Sequence, residues 1–279
     1  MSRVLETKDD LTRIRSKFVI NSFGSSLYTD FEKTYGKYLY LPFDIPKIQP
    51  NNMADFIRYY YHNSKVALKT KDDFADSAAE ANKSSPYLTI TSSGKHSTHA
   101  SIWSGNDVED IYNKFPELFE QMLEYFPFIE GPTFRWSMWS SNKDIPSHRD
   151  FGLHFDSPIV LRVMLFDTNP KQSLSLTLDP LDKDINLTYD IKLPPDSNSF
   201  TWNNLRQKHQ SVYTSGHRKI LMIVSPYEIE DMLKDSKKRN QYIDLLDRSI
   251  AKYKDYTVID NLTDVHSYLN IDTNEINIL

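Results

Sequence analysis

The chain has no cysteine and only 7 glycines among its 279 residues. The first absence excludes disulfide scaffolds, thiolate zinc sites, iron-sulfur ligation and a cysteine nucleophile, so any metal must be held by His, Asp and Glu. The second leaves little backbone for a phosphate cradle. Average usage would supply about 20 glycines, and neither G-x-G-x-x-G nor G-x-x-x-x-G-K-[ST] occurs, which disfavours dinucleotide and P-loop folds. No apolar run approaches the roughly 20 residues that cross a bilayer, and the stretch from Met1 to Ile20 is charged throughout, without the apolar centre of a signal peptide. A soluble, cytoplasmic protein without a membrane partner is expected. The formal net charge is -5, with 33 basic and 38 acidic residues dispersed along the chain. No basic footprint invites nucleic acid.

What is present suffices for a core: 39% hydrophobic and 13% aromatic residues, in a chain long enough to bury them. Helical spacing dominates up to about residue 130. One amphipathic stretch runs from Asn52 to about Ala67 with Asn51 or Asn52 as N-cap, and another from Asp107 to Phe126 with Pro116 as a break or second start. Tyr87 to Thr91 reads as a strand. From Thr133 short β-like runs follow at close intervals: Phe134–Ser141, Ile159–Asp167, Leu174–Leu178, Leu187–Leu193, Phe200–Trp202, Ser211–Tyr213 and Lys219–Ser225, separated by turn formers. Such spacing predicts a sandwich or jelly roll. After Pro226, Tyr227 to Tyr253 returns to helical composition. The expected organisation is a mainly β core with flanking helices (α+β): a mixed helical region over 1–130, a β core over 131–226 and a helical extension over 227–279. The run Tyr59-Tyr60-Tyr61 is read as packing surface on its helix rather than a base-stacking platform, and Lys234 to Arg239 as a solvated helix face.

The residues that carry chemistry are few. His148-Arg149-Asp150 follows the turn at Asn142 to Pro146, and residues two apart in an extended chain share a side. With eight His in the chain, an H-x-D is weak evidence by itself, and a second, His154-Phe155-Asp156, lies just downstream. Taken alone, His148 with Asp150 reads more readily as a surface turn pair, and His154 with Asp156 is the rival ligand pair. Weight comes from His209, in the strand-like segment His209 to Tyr213, and from Arg218, which opens the apolar run Lys219 to Val224. Two His and one carboxylate on neighbouring strands form the facial triad of non-haem Fe(II) sites, with open coordination positions. An Arg can make a two-pronged contact with a carboxylate. His217, beside Arg218, reads as a turn residue.

At these residues the sequence resembles the 2-oxoglutarate and Fe(II)-dependent oxygenases, and among them the aspartyl/asparaginyl β-hydroxylase and proline hydroxylase branch. The resemblance covers about Phe134 to Pro226. It rests on Ile145-Pro146-Ser147-His148-Arg149-Asp150, the strand Leu161 to Pro170, Phe200-Thr201-Trp202-Asn203-Asn204, and His209 to Arg218. It implies a double-stranded β-helix (jelly roll, cupin-like) with His148, Asp150 and His209 as metal ligands and catalytic centre. It further implies that Arg218 with Ser137, eleven residues before His148, grips the far carboxylate of 2-oxoglutarate, while Arg162 reaches cosubstrate or substrate. Met164 stands where the branch has the His of R-x-H. The cofactors implied are Fe(II), 2-oxoglutarate and O2, and the substrate is a small-molecule or peptidyl amino acid hydroxylated at an unactivated C–H with release of succinate and CO2. The competing expectation, from a different class, is a non-catalytic jelly-roll module that binds a small acid or a protein partner, its His/Asp set vestigial or holding a structural metal.

Overall fold

The computed structural model describes residues 26–63, 65–66, 86–89, 113–130, 134–139, 145–148, 160–169, 175–178, 188–202, 207–211, 219–226 and 229–259. Its elements in chain order are α1 (Ser26–Tyr35), β1 (Tyr38–Pro42), α2 (Met53–Asn63), β2 (Lys65–Val66), β3 (Pro86–Thr89), α3 (Pro116–Tyr125), a 3-10 turn (Pro127–Ile129), β4 (Phe134–Trp139), β5 (Ile145–His148), β6 (Leu161–Asp167), β7 (Ser175–Leu178), β8 (Thr188–Asp190), β9 (Ser199–Trp202), β10 (Gln207–Ser211), β11 (Lys219–Pro226), α4 (Ile229–Lys234), α5 (Ser236–Lys252) and β12 (Val258–Ile259).

The helix boundaries follow from local chemistry. Asn52 accepts a hydrogen bond from the Asp55 amide at 3.1 Å, which caps α2. Pro116 occupies the first turn of α3, where its missing N–H costs nothing; it is a helix start, not a kink. Asp235 caps α5 by accepting from the amides of Lys237 and Lys238 at 3.0 and 3.1 Å. The tyrosine run packs as expected: Tyr60 is fully buried, and Tyr59 meets Phe115 edge to face at 5.5 Å.

The strands form two antiparallel sheets, ordered β12-β1-β9-β6-β11-β4-β3-β2 and β5-β10-β7-β8. From β4 to β11 the chain changes sheet at every step except β7 to β8. The larger sheet buries both faces. One packs against the helices: Leu41, Phe134, Trp136, Met138, Leu161, Val163, Met222 and Val224 join Phe56 of α2, Phe119 of α3 and Tyr242 of α5 in a single core. Phe119 stacks on Trp136 with ring centroids 5.6 Å apart. Each such side chain contributes about 1.5–3 kcal/mol on burial. The opposite face carries the alternate residues Tyr40, Met164, Phe200, Trp202 and Leu221, with Ile191 packed on them.

The structure departs from the sequence reading at several points: β5 begins at Ile145, inside the stretch read as a turn, and β2 and β12 were not expected. β1 was not expected; it pairs with β9 and β12 and so draws the segment before residue 43 into the sheet. The strand read as beginning near Ser211 instead spans Gln207–Ser211, because β5 and β7 pair with it on both sides and a polar sequence needs no apolar pattern when its backbone is satisfied that way.

Candidate functional site

His148 and His209 are Cα partners across the β5–β10 ladder. Opposed positions in an antiparallel ladder lie on one face of the sheet with Cα atoms about 5 Å apart. The local cause of this register is a one-residue irregularity: His209 pairs with His148, but Ser211 pairs with Ile145, so β5 spends three steps where β10 spends two. Pro146 lies inside the irregularity. Proline has no N–H to give to a ladder, and strands place it at such bulges. The extra residue is what brings position 148 opposite position 209.

Asp150 and Arg218 lie outside the described residues, as do the rival pair His154 and Asp156 and the turn residue His217. Among the described residues no group of three or more His, Asp or Glu is assembled. Two imidazole-bearing positions opposed on one ladder, with an Asp two residues along the chain, are a donor set suited to Fe(II). Of the three donors that the sequence reading calls for, the described residues include the two histidine positions.

Ser137 and Arg162 belong to the larger sheet and share one register row. Ser137 is opposite Ile223, Ile223 is opposite Arg162, and Arg162 is opposite Phe200. Two strand spacings separate Ser137 from Arg162, roughly 10 Å. The Arg162 side chain is 1% exposed, on the face of the sheet turned away from the helices. Its guanidinium carbon sits 3.5 Å from the centroid of the Trp202 ring, and Nη1 donates to the Val160 carbonyl at 3.2 Å. Stacking on an indole holds the planar fork in one orientation. At the R-x-H position Met164 is buried among Tyr40, Phe200, Trp202 and Leu221, so an apolar thioether fills that place. Burial holds the Tyr40 hydroxyl well above the usual tyrosine range, and it donates to the Lys192 carbonyl at 3.1 Å.

Lys219 was missed by sequence reasoning, which stopped at the neighbouring Arg218. It is 2% exposed and opposite Asp167 at the start of β11. It falls on the same side of that strand as Leu221, the side turned away from the helices. The signal was available: Lys219, Leu221 and Ile223 have one parity, and Ile220, Met222 and Val224 the other.

Chain connections relate the two sheets. The end of the larger sheet that holds Arg162 also holds Trp202, from which residues 203–206 lead into β10 and to His209. The same end receives the chain from His148 through residues 149–160. Lys219 lies at the other end, where 140–144 connect β4 to β5 and 212–218 connect β10 to β11.

No helix among the described residues is long and apolar enough to cross a membrane. No family model matches the chain, and no curated protein matches it significantly. Solved structures do match. A prolyl-4-hydroxylase from Pseudomonas putida aligns at 10% identity with a TM-score of 0.37, covering 69% of this chain and 94% of that one. A prolyl hydroxylase from Trichoplax adhaerens, solved with a peptide of the hypoxia inducible factor oxygen degradation domain, aligns at 9% identity and 0.35 over 83% and 98%. The non-haem α-ketoglutarate-dependent epimerase SnoN of nogalamycin biosynthesis aligns at 12% identity and 0.37 over 71% and 82%. The structural neighbours of the chain thus include 2-oxoglutarate and Fe(II)-dependent oxygenases, prolyl 4-hydroxylases among them, at low sequence identity.

Proposed function

We propose that the chain is a non-haem Fe(II)- and 2-oxoglutarate-dependent oxygenase of double-stranded β-helix fold, which hydroxylates an unactivated C–H of an amino acid or peptidyl residue. The observation that carries this reading is the pairing of His148 with His209 across two strands, 61 residues apart in sequence and aligned by a bulge at Pro146. In this reading His148, Asp150 and His209 hold Fe(II), which when bound supplies the activation of O2. The start of β11, with Arg218 and the buried Lys219, receives the far carboxylate of 2-oxoglutarate. A charge-assisted contact there fixes the cosubstrate's orientation. Tyr40, Met164, Phe200, Trp202 and Leu221 line a dry apolar layer on this face of the sheet, which keeps water from reactive species.

The test is spectroscopic. Under anaerobic conditions Fe(II) and 2-oxoglutarate together give a weak visible metal-to-ligand charge-transfer band, and His209→Ala removes it. A wild-type chain without that band, and without succinate release in the presence of iron, ascorbate and air, is instead a binding module.

A further inference from the structure

We propose that residues 191–193 are the swinging half of a strap that opens over the apolar layer of the larger sheet, with the Tyr40 hydroxyl as its latch. The strap is the crossover 191–198, which carries the chain from β8, at the edge of the smaller sheet, to β9 in the larger one. It runs along the face turned away from the helices. Ile191 is 7% exposed and lies among Tyr40, Met164, Phe200, Trp202 and Leu221, and the half-buried Leu193 packs against the same layer. Lys192, between them, is exposed, and its carbonyl accepts from the Tyr40 hydroxyl at 3.1 Å. Among the described residues this is the one hydrogen bond between 191–193 and the larger sheet.

The two halves of the strap are held unequally. Residues 196–198 are clasped by polar bonds: Asp196 pairs with Lys252 at 2.9 Å and accepts from the Tyr253 hydroxyl at 3.0 Å, Ser197 Oγ donates to the Phe43 carbonyl at 2.8 Å, and Asn198 bonds to both Ile48 and Met164. Pro194 and Pro195 separate the halves, and neither has an N–H with which to pin the chain to the sheet. A segment with few hydrogen bonds and a small apolar contact opens at a fraction of the free energy of global unfolding. The strap is such a segment before the two prolines and not after them. The layer it covers is the one that the oxygenase reading keeps dry, but the strap follows from the contacts of the chain alone and does not depend on that reading.

The experiment uses the full chain, which has no cysteine. Ile191→Cys then carries the sole thiol, and its rate of alkylation by iodoacetamide, followed by mass spectrometry, reads the opening. Val163→Cys, fully buried on the other face of the same sheet, reads global unfolding. Without denaturant the thiol at 191 should react faster than that at 163 by roughly tenfold or more, and its rate should rise less steeply with urea, because an opening strap exposes less surface than an unfolding chain. Tyr40→Phe, added to Ile191→Cys, should speed the reaction about threefold to tenfold, the worth of one hydrogen bond. Should Ile191→Cys fail to fold, Leu193→Cys reads the same latch. Equal rates with equal urea dependence at 191 and 163 overturn the proposal, since only unfolding then bares the layer. A fast reaction at 191 that Tyr40→Phe leaves unchanged also overturns it, since the thiol is then reached without release of the latch.

Discussion

Asn198 and Ile48 are hydrogen-bonded in both directions: the Ile48 amide donates to Oδ1 of Asn198 at 3.0 Å, and Nδ2 of Asn198 donates to the Ile48 carbonyl at 2.7 Å. One side chain thus does the work of a backbone bridge. The same Nδ2 reaches the Met164 carbonyl at 2.9 Å, and the Asn198 carbonyl accepts from the Met164 amide at 2.8 Å. Three segments that are distant in sequence meet at this buried amide, one of them the strand that carries Arg162.

Replacing Asn198 with Leu, close in volume but unable to bond, leaves the amide and carbonyl of Ile48 and one lone pair of the Met164 carbonyl without their partner. Each buried group so orphaned costs about 1–3 kcal/mol. Asn198→Leu should therefore destabilise the chain by about 3–5 kcal/mol, read as a lower urea midpoint. A midpoint within error of wild type would mean that water replaces the amide.

How much of this was legible in the sequence depended on whether apolar pattern or pairing set the structure. β4, β6 and β11 announce themselves, because each buries a face and alternates or runs apolar. β10 does not: Gln207-Lys208-His209-Gln210-Ser211 has no hydrophobic period, and neighbouring strands define its limits. His148 and His209 could be singled out by residue type. Their opposition could not, since it depends on a one-residue irregularity at Pro146 that no composition reports. Arg162 was singled out by the resemblance, but its stack on Trp202 is a contact between residues forty apart that only the β6–β9 pairing creates.

The irregularity in β5 makes a sharp prediction. Inserting an alanine between Ser147 and His148 adds a residue beyond the one the irregularity takes up and slips His148 by one against His209, and a one-residue slip moves a position to the other face of its sheet. The insertion should abolish the anaerobic charge-transfer band as fully as His209→Ala does, with far-ultraviolet circular dichroism close to wild type. A band of normal intensity in a folded insertion variant would show that the alignment of 148 with 209 is not what the metal needs.

The end of α5 is tied down by charge. Nζ of Lys252 lies 2.7 Å from Asp44 and 2.9 Å from Asp196, and the Tyr253 hydroxyl donates to Asp196 at 3.0 Å. Lys252 in the first place, and Tyr253 after it, hold the Asp196 carboxyl below its usual value. A carboxyl whose pKa is lower folded than unfolded stabilises above its unfolded value, about 3.9, and that stabilisation is lost as pH falls through the folded one. Thermal melts should therefore show wild type more stable than Asp196→Asn at pH 7, with the gap closing as pH drops below about 4. The groups are half exposed, so 1 M salt should shrink the gap at every pH. A gap that widened on acidification would contradict the pairing.

Lys219 and Arg218 are neighbours in sequence, and β11 begins at Lys219. Lys219 is buried on the side of β11 that bears Leu221, the side on which the proposed cosubstrate lies. Lys219→Met keeps the length of the side chain and removes its charge, so it should sacrifice cosubstrate binding before it sacrifices folding. With a redox-inert Mn(II) in place of iron, 2-oxoglutarate at a hundred times its dissociation constant stabilises the native state by about 2.7 kcal/mol, a rise in Tm of about 5 °C or more for a chain of this size. That rise should vanish in Lys219→Met and shrink in Arg218→Met, since both cations serve the carboxylate at the start of β11. A rise that Lys219→Met keeps and Arg218→Met loses would assign the carboxylate to Arg218 alone and make Lys219 a structural cation held opposite Asp167.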